Sequence, residues 1–410
     1  MTTTEHQDTA EDAAYRAKAR AWLAANAAEY RSPGAFTDAT RAAHSKAYTR
    51  KKWDAGYSGI HVPESEGGAG GTKRQAEIFA EEESGYQVPP TTAHHLAMTA
   101  YQHYGTPEQK ARWGKIMWSG AGAWTQLFSE PSAGSDLAAL RTKAVKDGDK
   151  YIVNGQKIWS TYAHDADYGF IIVRTDYKAV KHKGLSFFFI NMRQPGITVR
   201  PIAQMTGDSD FNEVFFEDAI LEEKDRIGAE GQGWAVAMTV LGAERTGAGT
   251  AGARSGDNPV STANLLRAAR NARRDDGVAL DSAAVRAQLA RFYVDEQGVK
   301  NFGVRMAAQM AAGAPPPASM PVMKLTSATR NQLAFAFLQD MEESGGIVQK
   351  PDKTEDKYFG YLYSPIWRIA GGADQVLRNQ LSERALGMPA DIRPDKDVPF
   401  DQVPFSAPKA

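Results

Sequence analysis

The chain is 410 residues long, carries a formal net charge of -1 and contains no cysteine. Its 42% hydrophobic and 24% charged residues are typical of a globular protein, and its length predicts two or three sub-domains that share a large core. Without cysteine the chain has no disulfides, no thiolate metal sites and no cysteine nucleophile, and we predict no metal site. Interspersed basic and acidic residues argue against nucleic acid as a partner.

The start of the chain lacks the features of a targeting segment. Residues 1–16 contain neither a basic stretch nor an apolar run, and no later run approaches the roughly 18 apolar residues of a membrane span. We therefore expect a soluble, cytoplasmic protein that does not contact a membrane.

The first part of the chain has helical periodicity. Within residues 9–31, Tyr15, Ala19, Trp22 and Leu23 recur at the spacing of one helix face, which predicts an amphipathic helix. Further helices are predicted near residues 41–53, 73–84 and 107–118, with a loop at 61–71. We predict an all-helical domain over residues 1–122.

The middle of the chain has the composition and patterning of β-strands. The segment 151–153, the pair Asn154-Gly155 and the segment 156–159 predict a hairpin with a type I′ turn. Further strands are predicted at residues 168–175, 185–192 and 213–221. We predict a β domain over residues 123–230.

Helical periodicity returns after residue 231. Long helices are predicted at 283–312, 322–344 and 373–386, with a turn at 313–317 and a solvated helix end or loop at 269–277. We predict a helical domain over residues 231–410. The order of helices, strands and helices places the chain in the α+β class.

Five segments carry a resemblance to a known family. They are QLFSEPSAGSDLAALRTKA (126–144), NGQKIWSTYA (154–163), FNEVFFEDAIL (211–221), GAEGQGW (228–234) and RNQLSERALGMP (378–389). In this order they resemble the acyl-CoA dehydrogenases. The resemblance implies an N-terminal helical domain, a middle β-barrel or sandwich domain and a C-terminal four-helix bundle. It also implies bound FAD and oxidation of an acyl-CoA thioester to its trans-2-enoyl form.

The resemblance assigns cofactor contacts to the first motif. It places Gln126, Phe128, Ser129 and Ser135 along the flavin and the acyl-CoA, with Ser135 nearer the pantetheine arm. The Ser129 hydroxyl and nearby amides can meet the polar edge of an isoalloxazine, and Gly134 permits close backbone approach. Without the resemblance, such a loop is more typical of an ordinary turn.

The second motif is expected to complete the flavin surface. The family pattern puts Trp159 against the ring and Thr161 near its N5 side, with Ser160 between them. Since Trp159 and Thr161 are two residues apart on a strand, they are expected to share a face. Without the resemblance, Trp159 would be interpreted as a core aromatic residue.

Removal of the α-proton of a thioester requires a base. Many family members carry a glutamate at the position of Gly371, and glycine cannot accept a proton. A minority, resembling isovaleryl- and long-chain-type enzymes, carries it on an earlier helix in a Leu-x-x-Glu-Arg setting, which here is Leu241 to Arg245. We therefore predict Glu244 as the base, with Arg245 orienting the loop and contacting substrate. The alternative is an exposed helical glutamate without a catalytic role.

Gly371 retains its backbone N–H. The resemblance implies that this amide and a ribityl hydroxyl of FAD hold the thioester oxygen, which stabilises the developing enolate. Gly372 is predicted to contact substrate with it.

Small residues flank both Glu244 and Gly371 in the sequence. They are Gly242, Ala243, Gly247, Ala248 and Gly249 on one segment and Ala370, Gly371, Gly372 and Ala373 on the other. They favour a wide pocket for a branched, cyclic or polycyclic acyl group such as a steroid side-chain fragment. The alternative is that they only permit close helix packing.

Two elements of the family's homotetramers are altered. An Arg-x-x-Phe element that reaches a neighbouring FAD has Asp275 or Asp276 in place of Phe, although Arg273 remains. A Gly-Gly-Asn-Gly turn keeps Gly345 and Gly346 but loses its Asn. These departures resemble bacterial members that assemble from two unlike subunits.

We therefore expect a homo- or heterotetramer with a related subunit, in which this chain holds the base. The expected electron acceptor is an electron-transferring flavoprotein. Two other interpretations stay open: a non-catalytic or half-site structural subunit, and an oxidase or reductase on the same fold.

Overall fold

In the computed structural model, residues 8–32, 34–89, 91, 93–254, 258–275, 277–315, 317–347, 357–393, 395 and 397–403 are described. The side chains of residues 245–254 lie outside that description, as does Asp276. The chain forms two compact units, Met1–Ile202 with Ser209–Ala243 and Pro394–Ala410, and Ala203–Asp208 with Glu244–Arg393. The predicted three-domain boundaries at 122/123 and 230/231 stay a prediction.

The predicted N-terminal helical region is confirmed. Its helices are α1 (Ala10–Asn26), α2 (Asp38–Asp54), α3 (Lys73–Glu83), α4 (His94–Tyr104) and α5 (Pro107–Trp118). Capping boxes at Thr9, Thr72 and Thr106 satisfy amides that the first turn leaves unpaired. Ala19 and Leu23 of α1 are fully buried, as their spacing predicts. Helix α1 ends at Asn26, and a 3₁₀ turn continues to Arg31.

A single large sheet follows the helices. Its strands are β1 (Trp124–Leu127), β2 (Lys143–Asp147), β3 (Lys150–Thr161), β4 (Tyr168–Arg174), β5 (Leu185–Asn191), β6 (Ile197–Pro201), β7 (Phe211–Glu222) and β8 (Arg226–Ile227). The order is β6-β7-β3-β2-β4-β5-β8, and β1 pairs in parallel with β4. Strands β4 and β5 are buried along almost their whole length, which explains why their sequences are continuously apolar rather than alternating.

The predicted turn at Asn154-Gly155 is wrong. Strand β3 runs without a break through this pair, and the hairpin turn between β2 and β3 lies at residues 148–149. At Gly155 the pairing with β7 shifts register, and φ is +152°. A Cβ on Gly155 would stand 2.7 Å from Thr142 Cα. The glycine therefore permits close packing between strands. An Asn-Gly pair has the same composition in a turn and at such a position, so the local sequence does not distinguish the two.

The C-terminal region is helical, as predicted. Its helices are α6 (Gly233–Arg254), α7 (Thr262–Asn271), α8 (Ala283–Ala311), α9 (Pro321–Met341), α10 (Lys357–Tyr363) and α11 (Asp374–Gln380). Helix α11 continues as a π turn over Leu381–Ala385. The charge run contains the end of α7 and a short hairpin of β9 (Arg273–Arg274) and β10 (Gly277–Val278). No helix in the described part is long and apolar enough to cross a membrane.

Candidate active site

The loop after β1 presents the first motif. Gln126 is half-buried on β1, opposite Phe170 of β4. Phe128 is 4% exposed, and its ring meets the edges of Phe170 and Phe187 at centroid distances of 5.7 and 5.9 Å. Phe128 therefore anchors the loop in the core, so a ligand would meet chiefly its backbone.

Three small residues of the first motif are more exposed than Phe128. Ser129 is half-buried, and its carbonyl accepts a hydrogen bond from the Ile158 amide at 2.9 Å. Gly134 and Ser135 are exposed, and no described atom lies within 4 Å of a Cβ built on Gly134. Packing within this unit therefore does not require a glycine at 134, and the site stays open to an approaching group.

Strand β3 presents the second motif through a bulge. Lys157 pairs with Val214 and Ser160 with Asn212, so two residues of β3 oppose one of β7. Trp159 lies in this bulge with φ +64°, a conformation that is costly for a bulky residue. Its side chain is 58% exposed. The interpretation of Trp159 as a core residue is therefore wrong, because the bulge turns the indole outward.

The neighbours of Trp159 are held by side chains of the same unit. Asn212 Nδ2 donates to the Ser160 carbonyl at 2.9 Å, and Thr125 Oγ1 donates to the Thr161 carbonyl at 2.9 Å. Ser160 is 1% exposed, and its Oγ has no hydrogen-bond partner among the described residues. Thr161 is half-buried. Trp159 and Thr161 are thus more exposed than Ser160, and their shared face stays a prediction.

In the second unit, Glu244 and Gly371 lie close together. Glu244 is half-buried on α6, and its Oε1 lies 4.0 Å from the position of a Cβ built on Gly371. Gly371 has φ +66°. The carboxylate of Glu244 therefore reaches the neighbourhood of residue 371, the position to which the resemblance assigns the base of many family members. Arg245 lies on the same helix, but its side chain is outside the described residues.

A charged cluster holds the turn that contains Gly371 and Gly372. Lys324 Nζ donates to the Gly372 carbonyl at 2.7 Å and lies 3.4 Å from Asp374 Oδ1. Arg368 Nε donates to Asp374 Oδ2 at 2.6 Å, and Asp374 is 3% exposed. Burial lowers the pKa of Lys324, while Asp374 opposes that shift.

Sequence reasoning missed this cluster. Asp374 begins α11, where an acidic residue in the first turn is a helix-start signal. Its partner Lys324 lies 50 residues away, and only the tertiary structure pairs them.

The altered family elements are only partly described. Arg273 is exposed on β9 and pairs with Val278 of β10. A Cβ on Gly346 would stand 2.3 Å from the Gln339 carbonyl oxygen, so packing against α9 requires a glycine at this position.

Comparisons with known proteins agree with the motifs. Models of the acyl-CoA dehydrogenase N-terminal, middle and C-terminal domains match residues 8–121, 125–219 and 231–386. Acyl-CoA dehydrogenase IpdE1 of Mycobacterium tuberculosis is 32% identical over 388 residues, which cover 92% of this chain and 98% of the relative.

Two solved structures show the same fold. A structure titled Tcur3481-Tcur3483 steroid ACAD aligns with a TM-score of 0.75 at 23% identity, covering 94% of this chain and 99% of the other. The ChsE4-ChsE5 complex from Mycobacterium tuberculosis aligns with a TM-score of 0.70 at 24% identity, covering 95% and 100%. Because the matches extend over nearly the whole chain and include all three domains, this chain belongs to the acyl-CoA dehydrogenase family of oxidoreductases.

Proposed function

We infer that the chain catalyses α,β-dehydrogenation of an acyl-CoA thioester, with Glu244 as the base. The observation that carries this proposal is the 4.0 Å distance between Glu244 Oε1 and the Cβ position of Gly371. A carboxylate that originates on α6 thereby occupies the region that the family pattern assigns to a glutamate at residue 371. Proton removal by a positioned carboxylate contributes about 10²- to 10⁴-fold to a rate.

Gly371 contributes through its backbone. Its left-handed φ of +66° is readily adopted by glycine, and the amide keeps its hydrogen. Donated to the thioester oxygen, this N–H stabilises the negative charge that develops there as Glu244 removes the α-proton. Lys324 and Asp374 hold the following turn, so the amide is fixed before substrate binds.

The first unit fits a flavin. Trp159 offers an exposed aromatic face in a costly conformation, and Ser129 and Thr161 offer half-buried hydroxyls that can hydrogen-bond a polar ring edge. Gln126, Phe128, Gly134, Ser135 and Ser160 would contribute the remaining contacts. Bound FAD would accept the β-hydride at N5, and members of this family are generally FAD-dependent.

The substrate proposed is a bulky or branched acyl-CoA. No described atom lies within 4 Å of a Cβ built on Gly242, and only Glu244 Oε1 reaches that limit at Gly371. Close helix packing therefore does not explain either glycine, and the space beside Glu244 at Gly371 supports a ring-bearing acyl group. A structural relative whose title names a steroid ACAD supports the same substrate class.

For assembly, we propose a tetramer with a related subunit. Asp275 stands near the position at which homotetramers of the family place a flavin-contacting Phe, and two structural neighbours are titled as pairs of proteins. The proposed acceptor is an electron-transferring flavoprotein.

The test is the spectrum and turnover of the purified chain with FAD. The unmodified protein should bind FAD, and a ring-bearing acyl-CoA should bleach the visible flavin band without oxygen. E244Q should retain FAD and lose about 100-fold or more of the bleaching rate. E217Q, at an exposed position of β7, is the matched control. Undiminished bleaching by E244Q would reject Glu244 as the base, and a chain that binds no FAD would favour a structural subunit.

A further inference from the structure

A buried ion pair links the two elements of the proposed flavin surface. Lys157 on β3 is fully buried, and its Nζ lies 2.9 Å from Glu130 Oε1, whose side chain is 5% exposed. Neither residue has a role in proton or hydride transfer. A buried pair adds little net stability, because desolvation of both charges offsets their attraction. Stability alone is therefore a weak reason for its presence.

The contacts of the pair span the whole loop between β1 and β2. Lys157 Nζ also donates to the Phe128 carbonyl at 3.0 Å, at the start of the loop. Glu130 Oε1 accepts from the Thr142 amide at 2.8 Å, and Oε2 accepts from the Arg141 amide at 2.6 Å, at its end. Two side chains thus join both ends of the loop to β3.

The same contacts set the bulge of Trp159. Ile158 follows Lys157, and its amide donates to the Ser129 carbonyl at 2.9 Å. Trp159 comes next, at the register shift between Lys157 and Ser160. Trp159 is therefore two residues from buried Lys157 on β3, and the residue between them holds the Ser129 backbone.

Electrostatics favour the carboxylate form of Glu130. Burial acts to raise the pKa of Glu130, but the Lys157 ammonium and the Thr142 and Arg141 contacts hold that pKa below its usual range. Burial lowers the pKa of Lys157, and Glu130 opposes this shift.

We propose that Lys157 and Glu130 are positioning residues that set Phe128 and Ser129 against Trp159 in the arrangement that binds the flavin. The proposal rests on the proposed function, because it concerns the same flavin surface. Neither side chain needs to touch the cofactor. They act by holding the loop backbone and the bulge, so the surface exists before FAD binds.

The test is a double variant, E130Q/K157M, which removes both charges and leaves no unpaired buried ion. K150M, at an exposed lysine at the start of the same strand, is the matched control. E130D keeps the charge pair but shortens the side chain that reaches the Arg141 and Thr142 amides, so it should have a smaller effect and serves if the double variant does not fold. Each apoprotein is measured by hydrogen exchange and thermal melting, and then titrated with FAD.

The double variant should exchange faster than K150M over residues 126–135 and 158–161. It should bind FAD at least tenfold more weakly and alter the visible circular dichroism of bound flavin, while melting cooperatively. E130D should lie between the two. Exchange equal to that of K150M, or FAD affinity within twofold of it, would overturn the proposal. If the unmodified chain binds no FAD, the proposed function fails, and exchange in the apoproteins alone decides whether the pair positions the loop and the bulge.

Discussion

Glu244 Oε1 lies 4.0 Å from the position of a Cβ built on Gly371, although the two residues are far apart in sequence. We propose that a glutamate side chain from α6 and one from residue 371 would deliver a carboxylate to overlapping space. This proposal accounts for the two segments to which the family pattern assigns the base. The chemistry requires a carboxylate near one carbon atom, and it does not matter which helix supplies it.

Moving the base should restore part of the activity. E244Q/G371E should recover at least tenfold over E244Q, because the new carboxylate enters the same region. Recovery should stay incomplete, since the left-handed backbone at residue 371 costs a glutamate roughly 1–2 kcal/mol. Turnover of one ring-bearing acyl-CoA by parent and both variants checks this. A folded, FAD-loaded double variant no faster than E244Q would contradict the shared location.

Gly242 should tolerate a side chain. G242A should raise the free energy of unfolding by about 0.5–1 kcal/mol, because its Cβ meets no described atom and alanine is the better helix former. Gly298 on α8 has a similarly open Cβ position, so G298A should behave in the same way. Urea denaturation of both variants and the parent measures the effect, and a loss of stability in G242A alone would contradict an open position at residue 242.

Gly155 should be intolerant of a side chain. The Cβ of G155A would stand 2.7 Å from Thr142 Cα, so backbone must move. In G148A the backbone is strained as well, but its Cβ meets no described atom. We expect G155A to lower the free energy of unfolding by about 1–3 kcal/mol more than G148A. Urea denaturation measures the difference, and equal losses would show that strand packing does not require this glycine.

Stability should fall in acid because of His94. Burial lowers the pKa of His94 to about 4, and its Nε2 lies 3.0 Å from the Gly122 carbonyl. The unfolded chain, with an ordinary histidine pKa near 6.5, binds the proton first, so stability is full above that pH and declines towards pH 4. The loss attributable to His94 is about 3 kcal/mol.

Denaturation of H94N between pH 4 and 7 checks this effect. The variant should show a shallower pH dependence than the parent, whereas H61N, at an exposed histidine, should follow the parent. Parallel curves for H94N and the parent would assign the acid sensitivity to other groups.

Much of the architecture is encoded locally. Capping boxes at Thr9, Thr72 and Thr106 and the periodic apolar residues determine where the first helices form. Continuous apolar runs determine β4 and β5 because both faces of these strands are buried. The family motifs, matched in order along the chain, identify the family without any coordinates.

Other features depend on residues that are distant in sequence. Asn154-Gly155 has the composition of a turn, yet it lies inside β3 because pairing with β7 and contact with Thr142 outweigh local preference. A tryptophan on a strand is typical of a core residue, but a bulge in which two residues of β3 oppose one of β7 turns the Trp159 side chain outward.

The sequence by itself determined the family, the order of helices and strands, and the candidate base, because motifs and periodicity are local properties of the chain. Only the tertiary structure decided that Glu244 approaches Gly371, that Trp159 is exposed, and that Lys157 meets Glu130. Each of these depends on packing between segments separated along the chain, and no local pattern records such contacts.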